Sequence, residues 1–167
     1  MPEQTDAILF AEEQSFRQPW LWGLLLGTLV FVAVVFGTII HREPNNAGSL
    51  VFPAVLIVVV EIGVAVFLWV LKLKVRLDAA GLHIRFFPLV SKEIPLGEIA
   101  HWEARTYSPL LEYGGWGIRY SFRNGTAYNI SGNQGVQLEL TNGKRILIGS
   151  QRSEELAEAI HQAKDRS

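Results

Sequence analysis

Two long apolar runs, Trp20 to Ile40 and Leu50 to Leu71, separate a short polar lead from a half in which apolar and polar positions alternate. Each run is long enough for a membrane-crossing helix, which takes roughly 20 apolar residues at about 1.5 Å rise per residue. The first run carries no charge and the second carries one, Glu61, near its middle. The nine residues between them include Glu43-Pro44-Asn45-Asn46, with Gly48 close behind, and predict a tight turn between antiparallel helices. Pro53 falls in the first turn of the second run, where a missing N–H is tolerated.

Before the first run, residues 1–8 are predicted to lack regular structure. From Ile8 to Trp20, Leu9, Phe10, Phe16 and Trp20 recur among charges at near-helical spacing, predicting a short interfacial segment. Beyond Leu71 the period changes to two. Lys72 to Asp78 alternates strictly, Ala79-Ala80-Gly81 forms a turn, and Leu82 to Phe86 alternates again, which predicts a hairpin. Further strands are predicted at 92–96, 98–106, 116–122, 126–130, 135–140 and 144–149. Asn124-Gly125 and Asn142-Gly143 mark two tight hairpins. A helix follows Gln151, with Ser153 as its expected N-cap, acids at Glu154 and Glu155, and Leu156, Ala159, Ile160 and Ala163 as its apolar stripe. The organisation expected is a lead over 1–19, a helical hairpin over 20–71 (spans 20–40 and 50–71) and a soluble domain over 72–167.

Charge adds an orientation. Residues 72–167 hold 13 Lys and Arg against 10 acids, a surplus that suits an anionic membrane surface and falls short of nucleic-acid binding. Lys72, Lys74, Arg76 and Arg85 follow the second run, whereas the inter-run loop holds only Arg42, so the positive-inside rule puts the soluble domain in the cytoplasm. Two spans return the N-terminus to the same side. Trp20, Trp22 and Trp69 then share one membrane interface. With no cysteine, the chain has no disulfide, zinc thiolate or thiol nucleophile.

The number and order of these elements resemble the pleckstrin-homology (PH) superfold, most closely bacterial PH-like domains placed after a membrane hairpin. The resemblance rests on the Val75–Asp78/Gly81–Arg85 hairpin, on Glu93-Ile94-Pro95-Leu96-Gly97-Glu98-Ile99, and on Arg145 to Ile160. The chain as a whole is similar to an uncharacterised family of bacterial two-span membrane proteins. The strings that carry this are Glu12 to Arg17, Tyr107-Ser108-Pro109, Tyr113 to Arg119 and Ile148 to Arg152. The resemblance implies an α+β membrane protein, a transmembrane helical hairpin followed by a PH-like antiparallel β-barrel or roll capped by a C-terminal helix. It implies no activity.

Several residues invite a role. A carboxyl at mid-bilayer costs on the order of 3 kcal/mol, so Glu61 is either a sensor or partner contact, or a neutral acid bonding a carbonyl or Thr28 of the neighbouring helix. Gly23 and Gly27 form a Gly-x-x-x-Gly pair that admits close helix approach, within the hairpin or between copies. Lys72, Lys74 and Arg76 can hold anionic headgroups, or simply flank a span. Tyr107, Tyr113, Gly114, Gly115 and Trp116 lie in a loop that either shapes a binding groove or completes the core. Gly132-Asn133-Gln134-Gly135 lacks the setting of a phosphate loop and reads as a turn.

Enzyme constellations do not assemble. His41, His83, His101 and His161 lack metal-ligand spacing, and Ser108, Ser131 and Ser150 lack a nucleophile-elbow context. The sequence therefore predicts a multi-pass protein of the bacterial inner membrane with no cofactor. Its soluble part is expected to be a non-catalytic binding module that meets a protein partner, a second copy or the bilayer surface rather than nucleic acid. A structural subunit packing through its spans is the alternative, ahead of a membrane-bound enzyme.

Overall fold

A computed structural model describes residues 8–166. The chain divides into two compact units, Phe16–Val70 and a strand-rich unit built from the lead and everything after Val70. All but Ile8 of the segment expected to lack regular structure lies outside the described residues.

The first unit is a helical hairpin, α1 (Pro19–Arg42) and α2 (Ala47–Val70), joined by a single 3-10 turn at Pro44–Asn46. Both helices outrun the predicted spans at the turn. His41 and Arg42 extend α1, where cations favour the negative end of the helix dipole. Because α2 opens at Ala47, Pro53 sits inside the helix rather than in its first turn. No residue of α1 is buried. The largest side chains point outward, with Phe52 77% and Trp69 74% exposed.

The second unit begins with a correction. Phe10–Ser15 is a strand, β1, and not a helical interfacial segment: Phe10 and Gln14 are buried at a spacing that suits an edge strand. It pairs antiparallel with β2 (Lys72–Leu77), Ser15 opposite Lys72 and Phe10 opposite Leu77. Strands β3 (Gly81–Phe87) and β4 (Val90–Pro95) complete a four-stranded sheet in the order β1-β2-β3-β4. Its strict alternation puts Leu73, Val75, Leu77, Leu82, Ile84, Phe86 and Ile94 inside. Lys74, Arg76 and Arg85 stay on the solvent face.

The second sheet has the order β5-β8-β9-β7-β6. It comprises β5 (Ile99–Thr106), β6 (Gly117–Ser121), β7 (Gly125–Asn129), β8 (Gln134–Leu140) and β9 (Arg145–Gly149), with a short helix α3 (Pro109–Tyr113) between β5 and β6. Both Asn-Gly turns make hairpins, β6–β7 and β8–β9. The expected antiparallel barrel or roll is corrected in two ways. The two sheets do not close into a barrel, and β9 inserts between β8 and β7, which makes β7–β9 a parallel pair. That insertion needs Gly125: its φ is +76°, and a Cβ there would stand 1.9 Å from the Arg145 carbonyl oxygen.

Helix α4 (Ser153–Asp165) packs its stripe of Leu156, Ala159, Ile160 and Ala163 over β5, β8 and β1. Arg152, not Ser153, occupies the N-cap, and the buried Ser153 is the first helical residue. Trp102 on β5 donates to the Ala157 carbonyl at 3.1 Å, and the Lys164 ammonium donates to the Ile99 carbonyl.

Candidate functional site

The residues singled out above separate into three groups. In the hairpin, Thr28 and Glu61 meet: Thr28 Oγ1 lies 2.5 Å from Glu61 Oε1 and 2.8 Å from the Leu25 carbonyl oxygen. The Thr28 hydroxyl carries one proton, which these two acceptors share. Trp22 and Trp69 pack edge to face with centroids 6.3 Å apart, as helices with these residues at the same end require. Gly23 and Gly27 take no part in this contact. A Cβ built on either meets nothing within 4 Å, so α2 does not use that face.

The three basic residues after α2, Lys72, Lys74 and Arg76, have acidic neighbours. Glu13 on β1 binds Lys72 and Lys74, each at 2.7 Å, and the two ammonium groups hold its carboxyl down from 4.5 to about 2. Arg76 lies 3.3 Å from the buried Asp78. Burial alone would raise the Asp78 carboxyl. The His83 ring at 3.2 Å and the backbone N–H groups of Ala80 and Gly81 outweigh it and leave it below the ordinary value. These cations are partnered within the sheet.

The loop from Tyr107 to Trp116 is mostly internal. Tyr107 and Tyr113 are 4% and 5% exposed and pack edge to face, 5.9 Å between centroids, over Ala127 and Leu147. Asn129 couples the loop to the sheet. Its amide donates to the Tyr107 hydroxyl at 2.9 Å, and its carbonyl accepts from the Gly117 N–H at 2.9 Å. Arg105 joins Glu112 at 2.8 Å and Gln137 at 3.0 Å, while Glu112 also accepts from the Ser108 N–H and the Asn124 amide. Burial would raise the Glu112 carboxyl, but Arg105 and the Ser108 N–H win and lower it. Burial pushes both tyrosines up. Gly114 ends α3 in the left-handed region (φ +72°), and Gly115 beside it is buried. The Trp116 indole donates to the Gly132 carbonyl at 3.0 Å, on the turn that precedes β8. What α3 leaves in solvent is Leu110 and Leu111, the latter 90% exposed.

A feature with no sequence counterpart lies beside the β6–β7 hairpin. A groove of about 600 Å³ is lined by Lys92, Arg123, Lys144 and Arg145, by one acid, Glu139, and by Tyr120 and Phe122. The two aromatics pack edge to face at 5.6 Å, and Phe122 is 98% exposed. Only the Arg119-Tyr-Ser-Phe-Arg string was available as a signal, since Lys92 comes from β4 and Lys144 from the β8–β9 turn. Among the described residues no three of His, Cys, Asp and Glu approach closely enough to hold a metal ion. No family model, curated protein or solved structure matches this chain.

Proposed function

We propose that the chain is a two-span protein of the bacterial inner membrane whose helical hairpin tethers a non-catalytic, PH-like binding module at the cytoplasmic face. The carrying observation is the pair of 24-residue helices with outward-facing apolar side chains. Twenty-four residues span about 36 Å, against roughly 30 Å of bilayer hydrocarbon. In water such a surface would far exceed the few hundred Å² of apolar patch that soluble proteins carry. The antiparallel pairing of Ser15 with Lys72 supports a common side for both ends of the hairpin, because these strands directly precede and follow it. Lys and Arg after α2 support a cytoplasmic side. The opening hairpin and the closing strand and helix support the PH-like description, while the parallel β7–β9 pair departs from it. Tethering concentrates the module near partners on the same surface, so weak contacts suffice.

The expected outcome is that the protein resists carbonate extraction and that a C-terminal cytoplasmic reporter is bright. A C-terminal alkaline phosphatase fusion should be inactive; an active one overturns the orientation. Affinity capture of the intact chain in detergent, against an anchor-only control, should retain partners through the strand-rich unit.

A structural subunit is the second reading. It is favoured by Gly23 and Gly27, which lie open on α1 away from α2. Gly27→Leu should abolish complex assembly on this reading and leave it intact on the first. Glu61→Leu should do the same if the acid, rather than the glycine face, makes the contact.

A further inference from the structure

The strand-rich unit keeps most of its large apolar side chains inside; Ile8 on the lead and Phe87 and Leu89 at the β3–β4 turn are exposed, and the most exposed ones lie on and beside the β6–β7 hairpin. Phe122 is almost completely exposed and Tyr120 is 67% exposed, both on one wall of the groove. Next to β6, α3 adds the exposed Leu110 and Leu111. The Phe122 ring packs edge to face on Tyr120, and the groove gathers four cations against one acid. Arg145 answers that acid at 3.8 Å and donates to the Arg123 carbonyl at 3.3 Å. Among the described residues Lys92, Arg123 and Lys144 form no ion pair, in contrast to Lys72 and Lys74. Partial burial, then the neighbouring Lys144 charge, lowers the Lys92 ammonium against the opposing pull of Glu98, so an anion placed between the two lysines would relieve a repulsion.

We propose that this groove and the Tyr120–Phe122 tip form a docking site for an anionic phospholipid surface, phosphate headgroups lying among Lys92, Arg123 and Lys144 and the aromatic tip entering the interfacial layer. The inference rests on the anchored-module reading. A soluble phosphate would satisfy the cations but leave Phe122 in water, whereas a headgroup layer satisfies both at once. Aromatic rings favour that layer, and each cation near it is worth roughly five-fold in partitioning. The site moves headgroup contact from Lys72 and Lys74, which Glu13 occupies, to cations with no such partner.

The test uses the full chain in nanodiscs of phosphatidylcholine with or without phosphatidylglycerol. The chain has no cysteine, so Phe122→Cys carries the only nitroxide label, itself apolar. In the anionic discs its relaxation should shift severalfold from an aqueous nickel chelate toward membrane-dissolved oxygen. In neutral discs it should stay aqueous, and Lys92→Gln with Lys144→Gln should abolish the shift. An aqueous label in both discs overturns the proposal, as does equal insertion in both. Glycerol phosphate added to neutral discs is the separate arm for a free anion: perturbation of the groove lysines there, with no insertion in anionic discs, also overturns it. A label at Ala33→Cys in α1 reports the anchor independently, since loss of lipid depth at that position sinks the anchored-module reading instead.

Discussion

The helical hairpin and the strand-rich unit use the same side chains in opposite senses. Leucine and valine fill the interior of the second unit, where Leu73, Leu77 and Leu138 are wholly buried, and they face outward along α1 and α2. Polar groups follow the same inversion. In the hairpin the Thr28–Glu61 pair links the two helices among hydrocarbon side chains, and Thr38 bonds only its own helix backbone. In the strand-rich unit, polar groups form closed networks that fix loops, as around Asn129 and Glu112. The difference teaches that one unit is held by burial within itself and the other, on the proposed reading, by the solvent it is placed in. Each substitution should therefore act on one unit and spare the other.

The largest separation should come from Gly125→Val. The substitution forces a β-branched residue to φ +76° and drives its Cβ into the Arg145 carbonyl, so β7 can no longer lie beside β9. Strain and overpacking together should cost about 2–6 kcal/mol. Circular dichroism of the full chain in detergent should then show the strand unit melting early with the helical signal retained. Simultaneous loss of both signals would remove the comparison. Next is Tyr113→Ala, which empties a buried ring site and should cost about 3–5 kcal/mol. Tyr107→Phe strips one oxygen and leaves the Asn129 amide without its acceptor, for about 1–3 kcal/mol.

Acid should also act on the strand unit. The Glu13, Asp78 and Glu112 carboxyls all lie below their ordinary values, Glu13 at about 2. Depressed carboxyls stabilise the fold in full above their unfolded values of 4.5 and 3.8, and that stabilisation is lost as pH falls through the folded values. Melting temperatures should therefore hold from neutrality to about pH 5 and drop toward pH 2. Glu13→Gln should flatten the most acidic part of that slope, and added salt should flatten it in the parent protein. An unchanged slope in Glu13→Gln would show that the Lys72 and Lys74 contacts are not maintained in solution.

Much of this division was legible in the sequence, because the hydrophobic period changes at Leu71 and each strand and turn announces itself locally. The four strings that carried the family resemblance acquire a physical meaning in the fold. Glu12 accepts from the Ser150 hydroxyl at 2.5 Å and from the Gln151 N–H at 2.9 Å, and the Gln14 amide donates to the Gly149 carbonyl at 2.9 Å. The Glu12–Arg17 and Ile148–Arg152 strings are therefore two halves of one joint between the sheets. The Tyr107–Pro109 and Tyr113–Arg119 strings likewise meet around Asn129. What could not be read was β1, whose apolar residues sit at spacings that fit a helix until β2 supplies a partner. The parallel placement of β9 and the cation groove also escaped, since both depend on which distant strands and turns the fold brings together. Strand propensity does not encode that order.

In the hairpin the expected effects are smaller. Glu61→Leu leaves Thr28 with its Leu25 contact only, and Thr28→Val removes the other partner. A double-mutant cycle read as helix-pair stability in bilayers should give a coupling of about 0.6 kcal/mol, and no more than about 1.7. Glu61→Gln, which keeps a donor, should lie near the parent protein. A zero coupling would mean that the pair does not persist in lipid, and that Glu61 is free for an outside partner.

The smallest expected effect is the most discriminating one. Phe122→Ala removes a whole aromatic ring, yet that ring is 98% exposed and lies outside the core. Folding should change by less than about 0.5 kcal/mol, whereas Tyr113→Ala, another aromatic truncation about nine residues away, should cost several. Burial explains that contrast, because truncation costs stability only where atoms were removed from water on folding. The retained aromatic at position 122 then needs a reason outside the folded unit, and a surface that receives it provides one. If Phe122→Ala instead lowers the melting temperature as much as Tyr113→Ala does, the hairpin folds back onto the unit in solution. The exposed tip, and the inside-out comparison with the helices, would then no longer hold.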